Sequence, residues 1–197
     1  MNLRIVVEGL TAVQLQLEEM ARRGMNMRPV MGVIGHIMQQ SIMKNFEHQG
    51  RPGWKRLSSF TQMIYEGQAI DKARSTKAWQ KAGAKGKQGI ENRKIARDVS
   101  GGKILQRSGD LKKSITVGNV TNSSVEVGSP LVYARIHQIG GTVRPKRFDA
   151  LYIPTSRGYI RKMQSVIPAR PYLMLQNEDQ TFILRAVQAY MIGGDQA

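Results

Sequence analysis

"SITVGNVTNSSVEVGSPLVYARIHQIGG", residues 114–141, changes its period in the middle. In the first half "SITVGNV" and "SVEVG" alternate apolar and polar residues, and the turn-forming cluster "TNSS" separates them, as an antiparallel hairpin requires. The apolar phase slips between Val117 and Val120, so Gly118 is expected to mark a bulge that restores the inward face. The second half, "PLVYARIHQI", reads as a helix begun by Pro130 near its first turn and ended by Gly140 and Gly141. A hairpin feeding a helix sets the fold class as α+β, a small antiparallel sheet packed by helices.

Toward the C-terminus, "ALYIPT" (150–155) is expected as a third strand and "SVIPARPYL" (165–173) as another extended piece. A last helix is expected from Asn177 to Met191. Glu178 and Asp179 would stand at the positive end of its dipole, with Phe182, Ile183, Ala186, Val187 and Tyr190 on its buried face. Toward the N-terminus, "LRIVVEG" alternates as a short strand with Leu3, Ile5 and Val7 on one face, followed by a helix from Thr11 to a stop at Gly24. The longest core helix should run from Pro29 to Phe46, carrying Val30, Ile34, Ile37, Met38, Ile42 and Phe46 at helical spacing. Gly32 and Gly35 each weaken such a helix by about 1 kcal/mol relative to alanine, a cost that close approach of a neighbouring element would explain. "HQGRPGWKRLSSFT" (48–61) is a loop with Trp54 and Leu57 as apolar anchors, and "KILQRSGDLKKS" (103–114) a short amphipathic segment.

Between these last two lies a different composition. "KARSTKAWQKAGAKGKQGIENRKIARD" (72–98) mixes Lys, Gly, Ala and Gln with few large apolar residues, so residues 62–102 read as a long basic insertion, part helical and part mobile, within a single domain spanning 1–197. The chain carries 30 Lys and Arg against 14 Asp and Glu, a formal charge of +16. From Arg51 to Lys113 there are 16 basic and 5 acidic residues, so the excess is regional. A field of that sign attracts polyanions. Zero cysteines exclude disulfides and thiolate chemistry, and the sequence contains no apolar run of membrane-spanning length.

Catalytic patterns are missing. His36, His48 and His137 are isolated, with no HxH, HxxxH or HExxH spacing. Ser108 in "QRSGDL" lacks the preceding glycine of a nucleophile elbow, and the glycine-rich "VSGGKIL" and "AGAKGKQG" miss phosphate-loop spacing. No enzyme activity, metal or cofactor is expected. The basic stretch could meet phosphates through Lys77, Lys81, Lys85, Lys87, Arg93 and Lys94, with Trp79 and Tyr65 available for stacking; an acidic protein partner would fit the same cations. In "YARIHQIGG" (133–141), His137 and Gln138 stand at a helix end before a chain reversal, where they can satisfy backbone groups of the fold or of a neighbouring subunit.

Four blocks carry a resemblance: "F-x-x-x-G-R-P-G-W-K-R-L-S-x-x-T" (46–61), "K-I-L-Q-R-S-G-D-L-K-K-S-I" (103–115), "V-E-V-G-S-x-x-x-Y-A-R-I-H-Q-x-G-G" (125–141) and "I-P-A-R-P-Y-L" (167–173). In this order they resemble the phage virion morphogenesis, or tail completion, family of Mu-like and related tailed bacteriophages. The stretch between Thr61 and Lys103 departs from the pattern. The resemblance implies a non-enzymatic virion protein of the tail or neck, assembled in the host cytoplasm, that acts at the head-proximal end of the tail so that head and tail join. It further implies a ring of identical subunits, a hexamer or alternatively a dodecamer. Neighbouring neck, head-completion and tail-terminator or tail-tube proteins would be its partners, and genomic DNA could pass through the lumen. Trp54, Leu105, Gly109, Leu111, Tyr133, His137, Gly140, Arg170 and Pro171 match recurrent family positions with fold or assembly roles, and Gln138 lies among them. The prolines around Arg170 would stiffen it toward a carboxylate or carbonyls across a subunit interface. The competing reading is a non-specific DNA-binding protein acting by itself.

Overall fold

The computed structural model describes residues 10–100, 102–155 and 158–193, and the strand expected around Leu3, Ile5 and Val7 lies outside them. Helices α1 (Leu10–Met25), α2 (Arg28–Glu47), α3 (Ser59–Arg74), α4 (Lys77–Lys81), α5 (Ala84–Ile95) and α6 (Asp110–Lys113) come first. Then follow β1 (Thr116–Val120), β2 (Val125–Gly128), α7 (Ala134–Ile139), β3 (Gly141–Val143), β4 (Leu151–Thr155), β5 (Gly158–Lys162), β6 (Ser165–Ile167) and α8 (Asn177–Ile192). The strands pair antiparallel as β1 with β2, β3 with β6 and β4 with β5, so the fold is α+β with small sheets. The chain forms two compact units, one of Met1–Ile42, Ile115–Ser129 and Met174–Ala197, the other of Met43–Ser114 and Pro130–Leu173.

In the first unit the apolar stripe of α2 buries Val30, Ile34 and Ile42. The β1–β2 register shifts between Val117 and Val120, the bulge that the slipped alternation predicts. Gly35 explains itself here: a Cβ would stand 2.8 Å from Cγ1 of Val117 and 2.9 Å from Cγ2 of Val125, so helix and hairpin meet only because the side chain is missing. Nothing lies within 4 Å of a Cβ at Gly32. Asp179 opens α8: its carboxylate accepts the Gln176 N–H at 2.7 Å and the buried Ser41 hydroxyl at 2.5 Å, so one acidic residue both caps α8 and ties it to α2.

Two expectations for this unit need correction. Gly24 is an ordinary helical residue, and α1 runs one residue past it to Met25. Phe182 is exposed, because the contacts of α8 with α1 lie at its other end, where the Arg23 guanidinium donates to the Tyr190 carbonyl at 2.8 Å and a Cβ at Gly24 would stand 3.7 Å from Cε of Met191.

In the second unit, the described residues among 62–102 are largely helical. Ile64, Ala69 and Ala73 on α3 are buried, so this face belongs to the core where an exposed insertion was expected. The start of α7 is also later than Pro130: the Ala134 N–H bonds the Leu131 carbonyl at 2.9 Å in a tight turn, which delays the helix to Ala134. Strands β3 and β5 were not foreseen, since the glycine pair that stops α7 also opens β3 and the short "GYIRK" has no clear alternation.

Gly35→Val is expected to destabilise the protein by about 1–3 kcal/mol through overpacking against Val117 and Val125. Gly32→Ala, with open space around it, should raise stability by up to about 1 kcal/mol. Thermal unfolding midpoints of the two variants must move in opposite directions.

Candidate functional site

Residues 168–173, "PARPYL", adopt no regular structure, so their peptide groups find partners outside any ladder. The Arg170 N–H donates to the His137 carbonyl at 2.8 Å. Trp54 Nε1 donates to the Pro171 carbonyl at 2.8 Å, and Asn45 Nδ2 to the Tyr172 carbonyl at 2.8 Å. Gln138 serves three groups: its Oε1 accepts the Tyr172 and Leu173 N–H at 3.0 and 2.9 Å, and its Nε2 donates to the Leu173 carbonyl at 3.1 Å. Side chains from α7, α2 and the loop after α2 thereby replace the missing strand.

Aromatic packing fills the space beneath. Phe46 and Tyr172 are almost completely buried, and the Phe46 ring lies 5.3 Å from Tyr172 and 5.6 Å, edge-on, from Trp54. The Tyr172 hydroxyl donates to the Ala134 carbonyl at 3.1 Å, anchoring α7 as well. Gly50 makes this packing possible: at φ 98° it takes the left-handed conformation, and a Cβ there would lie 2.4 Å from the Trp54 ring. Gly140, at φ 72°, ends α7 where a Cβ would meet the Ala169 nitrogen at 2.6 Å.

Beside this cluster lies a cavity of about 790 Å³ to which all four sequence blocks contribute. Lys55, Arg56 and Leu57 come from the first, Leu105, Arg107 and Leu111 from the second, Tyr133 and His137 from the third, and Ile167, Pro168 and Arg170 from the fourth. Its lining residues are apolar, hydroxyl-bearing and basic, with no carboxylate among them. Arg170 is 5% exposed, and its guanidinium donates to the carbonyls of Lys55 at 2.9 Å and Arg56 at 3.3 Å. Its acceptors among the described residues are therefore carbonyls of its own chain. Burial draws its pKa below the usual arginine value. The His137 ring meets Tyr133 edge-on at 5.9 Å, and its Nδ1 is buried with no partner among the described residues. Burial first, and then the Arg170 charge, hold the imidazole below its ordinary pKa.

The remaining predicted residues divide between this cluster and the basic helices. Gly109, at φ 81°, precedes α6, and Leu111 is buried. Lys77 and Lys81 lie on α4, and Lys85, Lys87, Arg93 and Lys94 on α5. Several are engaged internally: Lys87 stands 4.5 Å over the Trp79 ring, Lys94 pairs with Asp98 at 3.2 Å, and Arg93 bonds the Gly89 carbonyl at 3.2 Å. Trp79 also donates to Glu91 at 3.0 Å, while Arg107 covers the Tyr65 ring at 4.1 Å, so each proposed stacking ring already carries a cation of its own chain. Asn45 and Tyr172 were missed. Asn45 had a legible signal, a polar residue within the apolar stripe of α2.

These convergent blocks are the ones that carry the family resemblance, and the match extends well beyond them: residues 9–191 fit the Phage virion morphogenesis family. The chain belongs to that family. It is 26% identical over 188 residues to Mu-like prophage FluMu G protein 2 of Haemophilus influenzae, an alignment covering 95% of each chain. No solved structure matches it. For this virion morphogenesis protein the motif residues act on the fold: Trp54, Gln138 and Arg170 all bond main-chain carbonyls or amides of their own unit.

Gln138→Ala should cost about 1–3 kcal/mol, because it strands buried peptide groups of Tyr172 and Leu173, and a denaturant titration measures the loss. His137 adds a pH dependence. Its folded pKa lies below the ordinary 6.5, so the unfolded chain takes up the proton first, and the stability present above pH 6.5 falls as the pH drops through the folded value. His137→Phe should flatten this part of the slope in denaturant midpoints followed below pH 6.5.

Proposed function

We propose that the protein is a non-enzymatic tail-completion or neck component, placed at the head-proximal end of the tail and closing a ring that lets head and tail join. The observation that carries this reading is the family match along residues 9–191, with a Mu-like prophage protein aligned over nearly its whole length. The first unit adds physical support. On α1, Val13 and Leu17, one turn apart, are 55% and 59% exposed, and on α8 Leu184 and Ile192, two turns apart, are 62% and 64% exposed. Two distinct apolar helix faces are what a heterologous interface uses, one patch meeting a different patch on the next copy until rotation closes the ring. A hexamer is the preferred ring and a dodecamer the alternative. Its neighbours would be neck, head-completion and tail-terminator or tail-tube proteins.

The charge of +16 sustains one other reading, a free-standing DNA-binding protein. Sedimentation and in vitro complementation separate the two. The ring reading expects a closed oligomer that Leu17→Glu dissociates, and wild-type protein that restores joining of heads and tails made without it. A monomer that fails to complement and binds DNA with a steep inverse salt slope would establish the alternative.

A further inference from the structure

The hairpin of β4 and β5 forms a two-stranded ribbon by itself, pairing with no other strand among the described residues. Opposed residues of an antiparallel pair share a face, so Tyr152 with Arg161 and Pro154 with Tyr159 form one side, and Ile153 with Ile160 and Leu151 with Lys162 the other. The second side is the anchored one: Lys162 places its ammonium 3.5 Å over the Phe60 ring of α3. The first side is open, with Tyr152 51% and Tyr159 73% exposed.

The loop entering the ribbon lies against this open side. Asp149 accepts the Tyr152 hydroxyl at 2.9 Å and pairs with Arg161, which ties the end of the loop to that side. Those residues are Arg144, Lys146 and Arg147, all exposed and without an ion-pair partner among the described residues, followed by Phe148 at 74% exposure. Asp149 is the one acidic residue from Arg144 to Met163, and it is already paired. The loop therefore sets three uncompensated cations beside the ribbon's exposed tyrosines. On the basic helices Lys87, Arg93 and Lys94 bond groups of the same chain, and although Lys77, Lys81 and Lys85 are exposed, the one aromatic residue of α4 and α5, Trp79, is already held by Lys87 and Glu91.

We propose that the loop entering this ribbon and the ribbon's open side, through Arg144, Lys146, Arg147 and Tyr159, form a sequence-independent contact surface for duplex DNA. Lysine, arginine and tyrosine all donate to phosphate oxygens, and a two-stranded ribbon is an element that the major groove admits. The inference rests on the neck reading, in which DNA passes the assembled protein, and supplies that reading with the surface that meets the DNA. It moves the DNA contact away from the helical cations Lys77, Lys81 and Lys85.

The test uses full-length protein and a short random-sequence duplex, with binding followed by fluorescence anisotropy across a salt series. Two triple variants each remove the same charge: Arg144→Gln/Lys146→Gln/Arg147→Gln in the loop entering the ribbon (the ribbon variant) and Lys77→Gln/Lys81→Gln/Lys85→Gln on the helices. The ribbon variant should lower the log–log salt slope by about 3 and weaken binding at least about tenfold near 0.1 M salt, while the helical variant stays close to wild type. Tyr159→Ala should weaken binding further in the ribbon's direction without changing the slope. Equal losses in the two triple variants, a larger loss in the helical one, or no wild-type binding to DNA would overturn the proposal; binding of poly-glutamate in place of DNA would assign the surface to an acidic protein. Thermal midpoints confirm that the variants fold, and sedimentation of the same samples reads ring formation separately, so failure of the neck reading and failure of the DNA contact give different results.

Discussion

Buried peptide groups must be hydrogen-bonded, and residues 168–173 have no strand to bond them. Much of the second unit follows from that constraint. Gln138 answers it for Tyr172 and Leu173, Asn45 for the Tyr172 carbonyl and Trp54 for the Pro171 carbonyl. Each of these side chains comes from a different stretch of sequence, so satisfying one short segment draws together the end of α2, the loop after it and α7. Phe46, Trp54 and Tyr172 then close the space between them with edge-on and tilted ring contacts.

Arg170 extends the same logic outward. From within the segment its guanidinium reaches the carbonyls of Lys55 and Arg56, which sets one wall of the cavity where the four sequence blocks meet. A buried charge is tolerable when hydrogen-bonded, and here the acceptors are carbonyls, so no counter-charge neutralises it. The cavity consequently keeps a positive character, and burial and that same charge hold the pKa of His137 beside it below its ordinary value. The rest of the chain's +16 is disposed in two ways. On the helices, aromatic faces and carboxylates of the same chain take up part of it, whereas Arg144, Lys146 and Arg147, in the loop before the β4–β5 ribbon, stand open to solvent.

How much of this was legible depended on the range of the signal. The β1–β2 hairpin with its bulge, α2 and α8 were readable because alternation and helical spacing are local, and each needs only its own residues. Trp54, Gln138 and Arg170 could be singled out as motif residues, and bonding to backbone groups could be expected of Gln138. Their partners could not be named, since Pro171 and Tyr172 lie well over a hundred residues from Trp54 and Asn45 along the chain. The core face of α3 was missed because Ala69 and Ala73 are small and its large apolar residues sparse. Phe182 was placed inside on periodicity alone, which finds an apolar stripe and is blind to whether anything covers it.

By itself the sequence determined the α+β class, the main helices, the hairpin and the regional positive charge, all properties of neighbouring residues. Only the tertiary structure decided that a ladderless segment would be bonded by three side chains, that Arg170 would bond its own chain, and that open cations would stand beside the ribbon's tyrosines. Those outcomes depend on which peptide groups and rings are left without partners once the local elements pack, and such vacancies exist only in three dimensions.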